Sequence, residues 1–137
     1  MALNNAESGF FAAVEYMVSP LPWVITGATS TTAVVNYSFH KVTKNITVIN
    51  HGVAGKLLRI GFSENGVNGT PENHYILLDG KETIELDVRV KDLFLRADSS
   101  NTINFSVYAG LTTINSSQMP NLSGSLPDGS SGWTGVG

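Results

Sequence analysis

The stretch Asp79-Gly80-Lys81-Glu82-Thr83-Ile84-Glu85-Leu86-Asp87-Val88-Arg89-Val90 decides the fold class. From Thr83 onward it alternates without interruption: Ile84, Leu86, Val88 and Val90 fall on one side of an extended chain, and Glu85, Asp87 and Arg89 on the other. A helix would scatter these side chains around its axis, whereas a strand sorts them into an apolar face and a charged face. The stretch therefore predicts a strand with one face buried. The preceding Asp79-Gly80 suits the positive φ angles of a tight turn, so a hairpin is expected to join residues 83–90 to a strand over 74–78.

The same period-2 reading extends in both directions. Residues 31–39 place Ala33, Val35, Tyr37 and Phe39 on one face, with Thr32, Asn36 and Ser38 on the other. Residues 45–50 are a short β-branched run, and 57–62 set Leu58, Ile60 and Phe62 inward beside an outward Arg59. Residues 93–97 and 103–109 complete a set of seven strands, the last with Ile103, Phe105, Val107 and Ala109 on one face. An eighth strand is expected from 10–18 or from 111–114, although Phe10, Val14, Met17 and Val18 also fit one face of a short helix. Short strands spaced by roughly ten residues, with Gly, Asn and Ser turns between them, argue for an all-β sandwich or barrel.

Both ends of the chain differ from this middle. Residues 1–30 read as an N-terminal arm, because Pro20 and Pro22 favour an extended entry into the first strand. Residues 31–111 read as the core, and 112–137 as a polar tail whose one charge is Asp128. Met119, Leu122, Leu126 and Trp133 are spaced along that tail, so it is expected to dock on its own domain or on a neighbouring subunit. Trp23 and Trp133 lie outside every proposed strand. With Phe10 and Phe11 they are candidate interface residues, and packing against the parent domain is the alternative.

Composition narrows the function. Of the 137 residues, 42 % are hydrophobic and only 14 % charged, against about 25 % charged in an ordinary globular domain. Asn, Ser, Thr and Gly fill the gap, which suits turns and surfaces that meet other protein surfaces. The net charge is −3 and no Lys/Arg run exists, so the basic face that phosphate neutralisation requires is missing and no nucleic-acid partner is expected. The absence of cysteine removes disulfides, thiolate nucleophiles and zinc–thiolate sites. The most apolar N-terminal stretch, 9–18, is short and interrupted by Glu15, so no membrane insertion is expected.

Chemistry-bearing patterns are sparse. His40, His51 and His74 are far apart and form no His-x-His pair, so neither a metal nor another cofactor is expected. Carboxylates and amides cluster once, in the loop 63–73, where Glu64, Asn65, Asn68, Glu72 and Asn73 could offer oxygen ligands or contact a sugar. The loop does not follow the EF-hand pattern, and its other reading is an exposed Gly/Asn-rich connection. Gly129-Ser130-Ser131-Gly132 has the wrong spacing for a nucleophile elbow. No convergent catalytic set emerges, and an enzyme is not expected.

Several segments carry a resemblance. Leu57-Leu58-Arg59-Ile60-Gly61-Phe62-Ser63, Asn65-Gly66-Val67-Asn68-Gly69, the strand led by Gly80, Asp92-Leu93-Phe94-Leu95-Arg96-Ala97 and Phe105-Ser106-Val107-Tyr108-Ala109-Gly110-Leu111 resemble small single jelly-roll capsid proteins. The group they most resemble is the penton, or vertex, protein of large icosahedral nucleocytoplasmic double-stranded DNA viruses. The resemblance covers about residues 31–111, and more loosely the Pro-Leu-Pro-Trp arm and the Gly-Trp-Thr-Gly-Val-Gly end. It implies a single jelly-roll sandwich of about eight antiparallel strands with extended N- and C-terminal arms. It further implies a structural subunit, made in the host cytoplasm, that forms homopentamers at the fivefold vertices of a virion. Neighbouring major and minor capsid proteins would surround the ring, and no active-site residues carry over. The alternative function is a β-sandwich binding module that recognises a carbohydrate or receptor through its end loops.

Overall fold

A computed structural model describes residues 19–69, 72–99, 102–120 and 136. Eight strands run in the order β1 (Leu21–Thr29), β2 (Val35–Ser38), β3 (Lys41–Asn50), β4 (Leu58–Gly61), β5 (Ile76–Leu78), β6 (Thr83–Leu86), β7 (Asp92–Ala97) and β8 (Ile103–Asn115). The helical content among the described residues is a five-residue helix, α1 (Glu64–Asn68), and a 3-10 turn at Ser116–Gln118.

The strands form two four-stranded antiparallel sheets, which makes the chain an all-β sandwich. Sheet A has the order β1-β8-β3-β6 and sheet B the order β2-β7-β4-β5. The pairings are nested. β4 pairs with β5 through Leu58↔Leu78, β3 with β6 through Ile46↔Leu86, β2 with β7 through Val35↔Leu95, and β1 with β8 through Leu21↔Leu111. The chain is thus one long ribbon doubled back on itself, with its tip between β4 and β5. Two further pairings, β8 with β3 and β7 with β4, roll that ribbon into the two sheets.

Alternation explains which residues meet between the sheets. Sheet A sends inward Ile46 and Val48 from β3 and Ile103, Phe105, Val107 and Ala109 from β8; sheet B answers with Leu58 and Ile60 from β4 and Leu93, Leu95 and Ala97 from β7. All are buried, and each large side chain contributes roughly 1.5–3 kcal/mol by leaving water. At one end the filling is aromatic: Trp23 stands edge-on to Tyr37 and Phe39 at 5.4 and 4.9 Å between ring centroids, and Tyr37 meets Phe105 at 6.1 Å. These rings join β1 and β8 to β2 across the sandwich.

Several expectations change against this architecture. The Asp79-Gly80 turn does not close a hairpin, because β5 belongs to sheet B and β6 to sheet A. The positive φ falls on Lys81, at 65°, and Gly80 is required for another reason: a Cβ there would overlap the Val53 carbonyl. Asp79 Oδ1 accepts from the Gly80 and Gly55 amides at 2.6 and 2.7 Å, so the turn is tied to the 52–56 loop. Buried Asn50 completes the crossover. Its Nδ2 donates to the Lys56 and Leu78 carbonyls at 2.8 and 2.9 Å, and its Oδ1 accepts from Gly52 N–H at 2.8 Å. Strand β6 is shorter than expected, yet the inward pattern continues to Val90. There Thr43 Oγ1 donates to Val88 O and accepts from Val90 N–H in place of regular pairing.

The proposed N-terminal arm contains a full strand. β1 pairs along its whole length with β8, and Pro22 is tolerated because a sheet-edge strand has one side free of ladder hydrogen bonds. The eighth strand therefore comes from residues 21–29. Leu111–Ile114 extends β8, so the first part of the proposed tail lies inside sheet A, and residues 10–18 lie outside the described ones. The strand expected over 31–39 shrinks to Val35–Ser38. Ahead of it the chain turns between sheets, where Thr29 Oγ1 donates to Ala33 O at 2.8 Å and Ala33 stays exposed.

Candidate functional site

Within the loop 63–73, residues 63–69 form a capped helical turn. Ser63 caps α1, its Oγ accepting from Gly66 N–H at 2.9 Å, and Gly69 N–H closes the other end on the Asn65 and Gly66 carbonyls. Val67 is fully buried, and α1 lies against β4 and β7 on the outer side of sheet B. Arg59, outward on β4, fastens this piece. Its Nε donates to Asp98 Oδ1 at 2.7 Å, its Nη1 donates to the Val67 and Asn68 carbonyls at 3.1 and 3.4 Å, and its guanidinium lies 4.4 Å from the Tyr75 ring centre. A cation on the last carbonyls of a helix satisfies acceptors that have no intrahelical donor.

Of the polar residues singled out in this loop, Glu64, Asn65, Glu72 and Asn73 are exposed and Asn68 is half-buried. They do not converge. Glu64 and Asn65 stand at the start of α1, while Glu72 Oε2 faces His74 Nε2 at 3.5 Å beyond it. Among the described residues no group of three or more His, Asp or Glu side chains comes together in a way that could hold a metal ion. The C-terminal end reaches this place. Ser63 Oγ donates to the Val136 carbonyl at 2.5 Å, and a Cβ on Gly66 would overlap that carbonyl.

The four candidate interface residues part company. Trp23 points between the sheets and packs on Tyr37 and Phe39, because its position on β1 alternates with the outward Val24, and it stays half-buried at the margin of the core. Phe10, Phe11 and Trp133 lie outside the described residues.

The outer face of sheet A is a feature that strand-by-strand reading missed. Two in-register rows cross all four strands: Val24–Tyr108–Thr47–Glu85 and Thr26–Ser106–Ile49–Thr83. Glu85, on the edge strand β6, is the single charged side chain in those eight positions. Val24 is 68 % exposed and neighbouring Leu21 54 %. At one side of the face Ser106 Oγ is hydrogen-bonded to His51 Nε2 at 2.7 Å and to Thr26 Oγ1 at 2.9 Å. A serine beside an imidazole is the first half of a nucleophile–base pair. Here the imidazole is exposed and, among the described residues, no carboxylate is bonded to it, so the described geometry is that of a surface hydrogen-bond chain.

No described helix is long and apolar enough to cross a membrane. Compared with known protein families and with curated proteins, the sequence matches no family model and no curated relative.

Proposed function

We propose that this protein is a structural assembly subunit with single jelly-roll topology, acting as the penton subunit that forms homopentamers at the fivefold vertices of an icosahedral virion. The observation that carries the reading is the nested pairing of β1 with β8, β2 with β7, β3 with β6 and β4 with β5. That order is expected when a doubled-back ribbon of eight strands rolls into two sheets, and jelly rolls serve viral capsids and lectins among other roles. The resemblance of about residues 31–111 to capsid strands favours the first of these roles. The uncharged face of sheet A agrees with it, since subunit contacts deplete charge at their centres. In this reading the neighbours are major and minor capsid proteins, and the ring closes through head-to-tail contacts between different patches of adjacent copies.

The test is the assembly state of the full chain. Mass photometry across a concentration series, together with density at the vertices of a particle, is expected to find five copies per ring. A chain that stays monomeric in both settings overturns the proposal, and glycan-array binding by that monomer would transfer the assignment to a carbohydrate-binding module.

A further inference from the structure

The geometry points to the outer face of sheet A, on its β1 side, as the surface on which a second copy of this chain docks. The inference rests on the assembly reading above and names the surface that reading leaves open. Three observations select it.

The first is charge. Two copies carrying a net charge of −3 each repel one another least where their surfaces carry no charge. Val24, Tyr108, Thr47, Thr26, Ser106, Ile49 and Thr83 form such a field, and the one carboxylate, Glu85, stands at the far edge on β6. A copy seated toward β1 avoids it.

The second is the edge itself. β1 presents nine residues, none of them charged, with its outer side free of any described strand. Natural edge strands of that length are ordinarily guarded by lysines, inward charges or a covering element, because their open N–H and C=O groups invite another chain. Among the described residues Pro22 is the only such guard, and Leu21 and Val24 are the most exposed large apolar side chains of the strand.

The third is size. Strands β1, β8 and β3, about 4.8 Å apart and at least about 30 Å long, present roughly 400 Å² in projection, before side-chain relief is added. That is about half of the ~800 Å² that each partner of a stable complex buries, and the relief of Val24 and Tyr108 adds to it. The outer face of sheet B offers less continuous area, because α1 and the Arg59 cluster occupy it over β4 and β7 and leave Asn36 and Leu77 exposed on either side.

Charged substitutions at exposed positions provide the test. Val24→Glu, alone and with Ala28→Glu, is compared with Asn36→Glu, an exposed position on the outer face of sheet B. Thermal unfolding confirms that each variant folds. The β1 variants are expected to raise the concentration of half-assembly at least tenfold, while Asn36→Glu leaves it within twofold of the unmodified chain. Assembly of the β1 variants at the unmodified concentration overturns the docking face and leaves the oligomer standing, as does an equal loss with Asn36→Glu. An unmodified chain that never self-associates overturns the oligomer, and the face with it.

Discussion

The two sheets share one core but turn different chemistry outward. Sheet B shows charge, and the charge is tied down: Arg59 is held by Asp98 and the end of α1, Arg96 donates to the Thr31 carbonyl at 2.8 and 3.0 Å, and Asp92 accepts from Ser38 Oγ at 2.7 Å. In the two rows that cross its four strands sheet A shows hydroxyls, a tyrosine and aliphatic groups, with Glu85 at the margin, and Lys41 and Lys44 stand near the start of β3. Each of these charges on sheet B fastens a neighbouring segment of the same chain. On sheet A the comparable ties are the Thr26–Ser106–His51 chain, the Lys41 ammonium on Asn115 Oδ1 and the Asn45 Oδ1 that accepts from Gly110 N–H, and none of them reaches across the Val24–Tyr108–Thr47 row. The difference lies in placement: the charges of sheet B stand where they tie down neighbouring segments, whereas those of sheet A stand on β6 and at the start of β3, leaving the two rows that cross all four strands with Glu85 alone.

The comparison is tested first at what the two sheets share. Phe105→Ala empties the centre of the core beneath both sheets and is expected to cost about 3–5 kcal/mol. Denaturant unfolding should remain a single transition; separate melting of the two sheets would break the picture of one shared core. Asn50→Ala strips three backbone partners at the crossover between sheets, one of them buried, and is expected to cost roughly 2–4 kcal/mol. Its signature in hydrogen exchange is faster opening of 52–56 and 79–82, with β8 still protected.

Arg59→Ala addresses sheet B alone. It removes the hydrogen bonds to Asp98, Val67 and Asn68, so about 1–3 kcal/mol is expected. Amide exchange should rise in 63–69 and stay unchanged in β1, and an equal rise in β1 would mean that the faces are not independent. The smallest effect concerns Tyr37, whose pKa burial raises above 10.0. The folded state holds the phenol proton more tightly than the unfolded chain. The resulting stabilisation is fully present below pH 10.0 and is lost as pH climbs through the raised value. Tyr37→Phe should flatten that alkaline decline when stability is followed from neutral pH upward.

Much of the sandwich was legible because alternation is local. Ile84, Val88, Leu93, Leu95, Phe105 and Val107 declare their inward direction from their neighbours alone. Alternation does not say which sheet a strand joins, however. Asp79-Gly80 read as a hairpin because its residues fit a tight turn, whereas the chain uses Gly80 to slip past the Val53 carbonyl on its way between sheets. Pro20 and Pro22 hid β1, since proline marks an arm and an edge strand alike. Helix α1 is too short to show a period, and only Ser63 three residues ahead of Gly66 hinted at a cap. The outer face of sheet A could not be read at all. Val24, Tyr108, Thr47 and Glu85 are distant in sequence, and only the registers of three pairings put them in one row.

The nested ribbon also sets an order of events in folding. The innermost pair, Leu58↔Leu78, closes a short loop, and each pair outward closes a longer one, ending with Leu21↔Leu111. Lengthening the loop to that extent raises the closure entropy by only about 1.3 kcal/mol, but it delays the search, because non-local pairing is slow. Strand β8 sits between β1 and β3 in the finished sheet, so β1 has no strand partner until the last strand of the ribbon arrives. As the chain emerges from the ribosome, the tip around β4 and β5 can close early while the first strand made waits for the last. An uncharged strand held waiting in this way is the part of the molecule most in need of protection before folding ends.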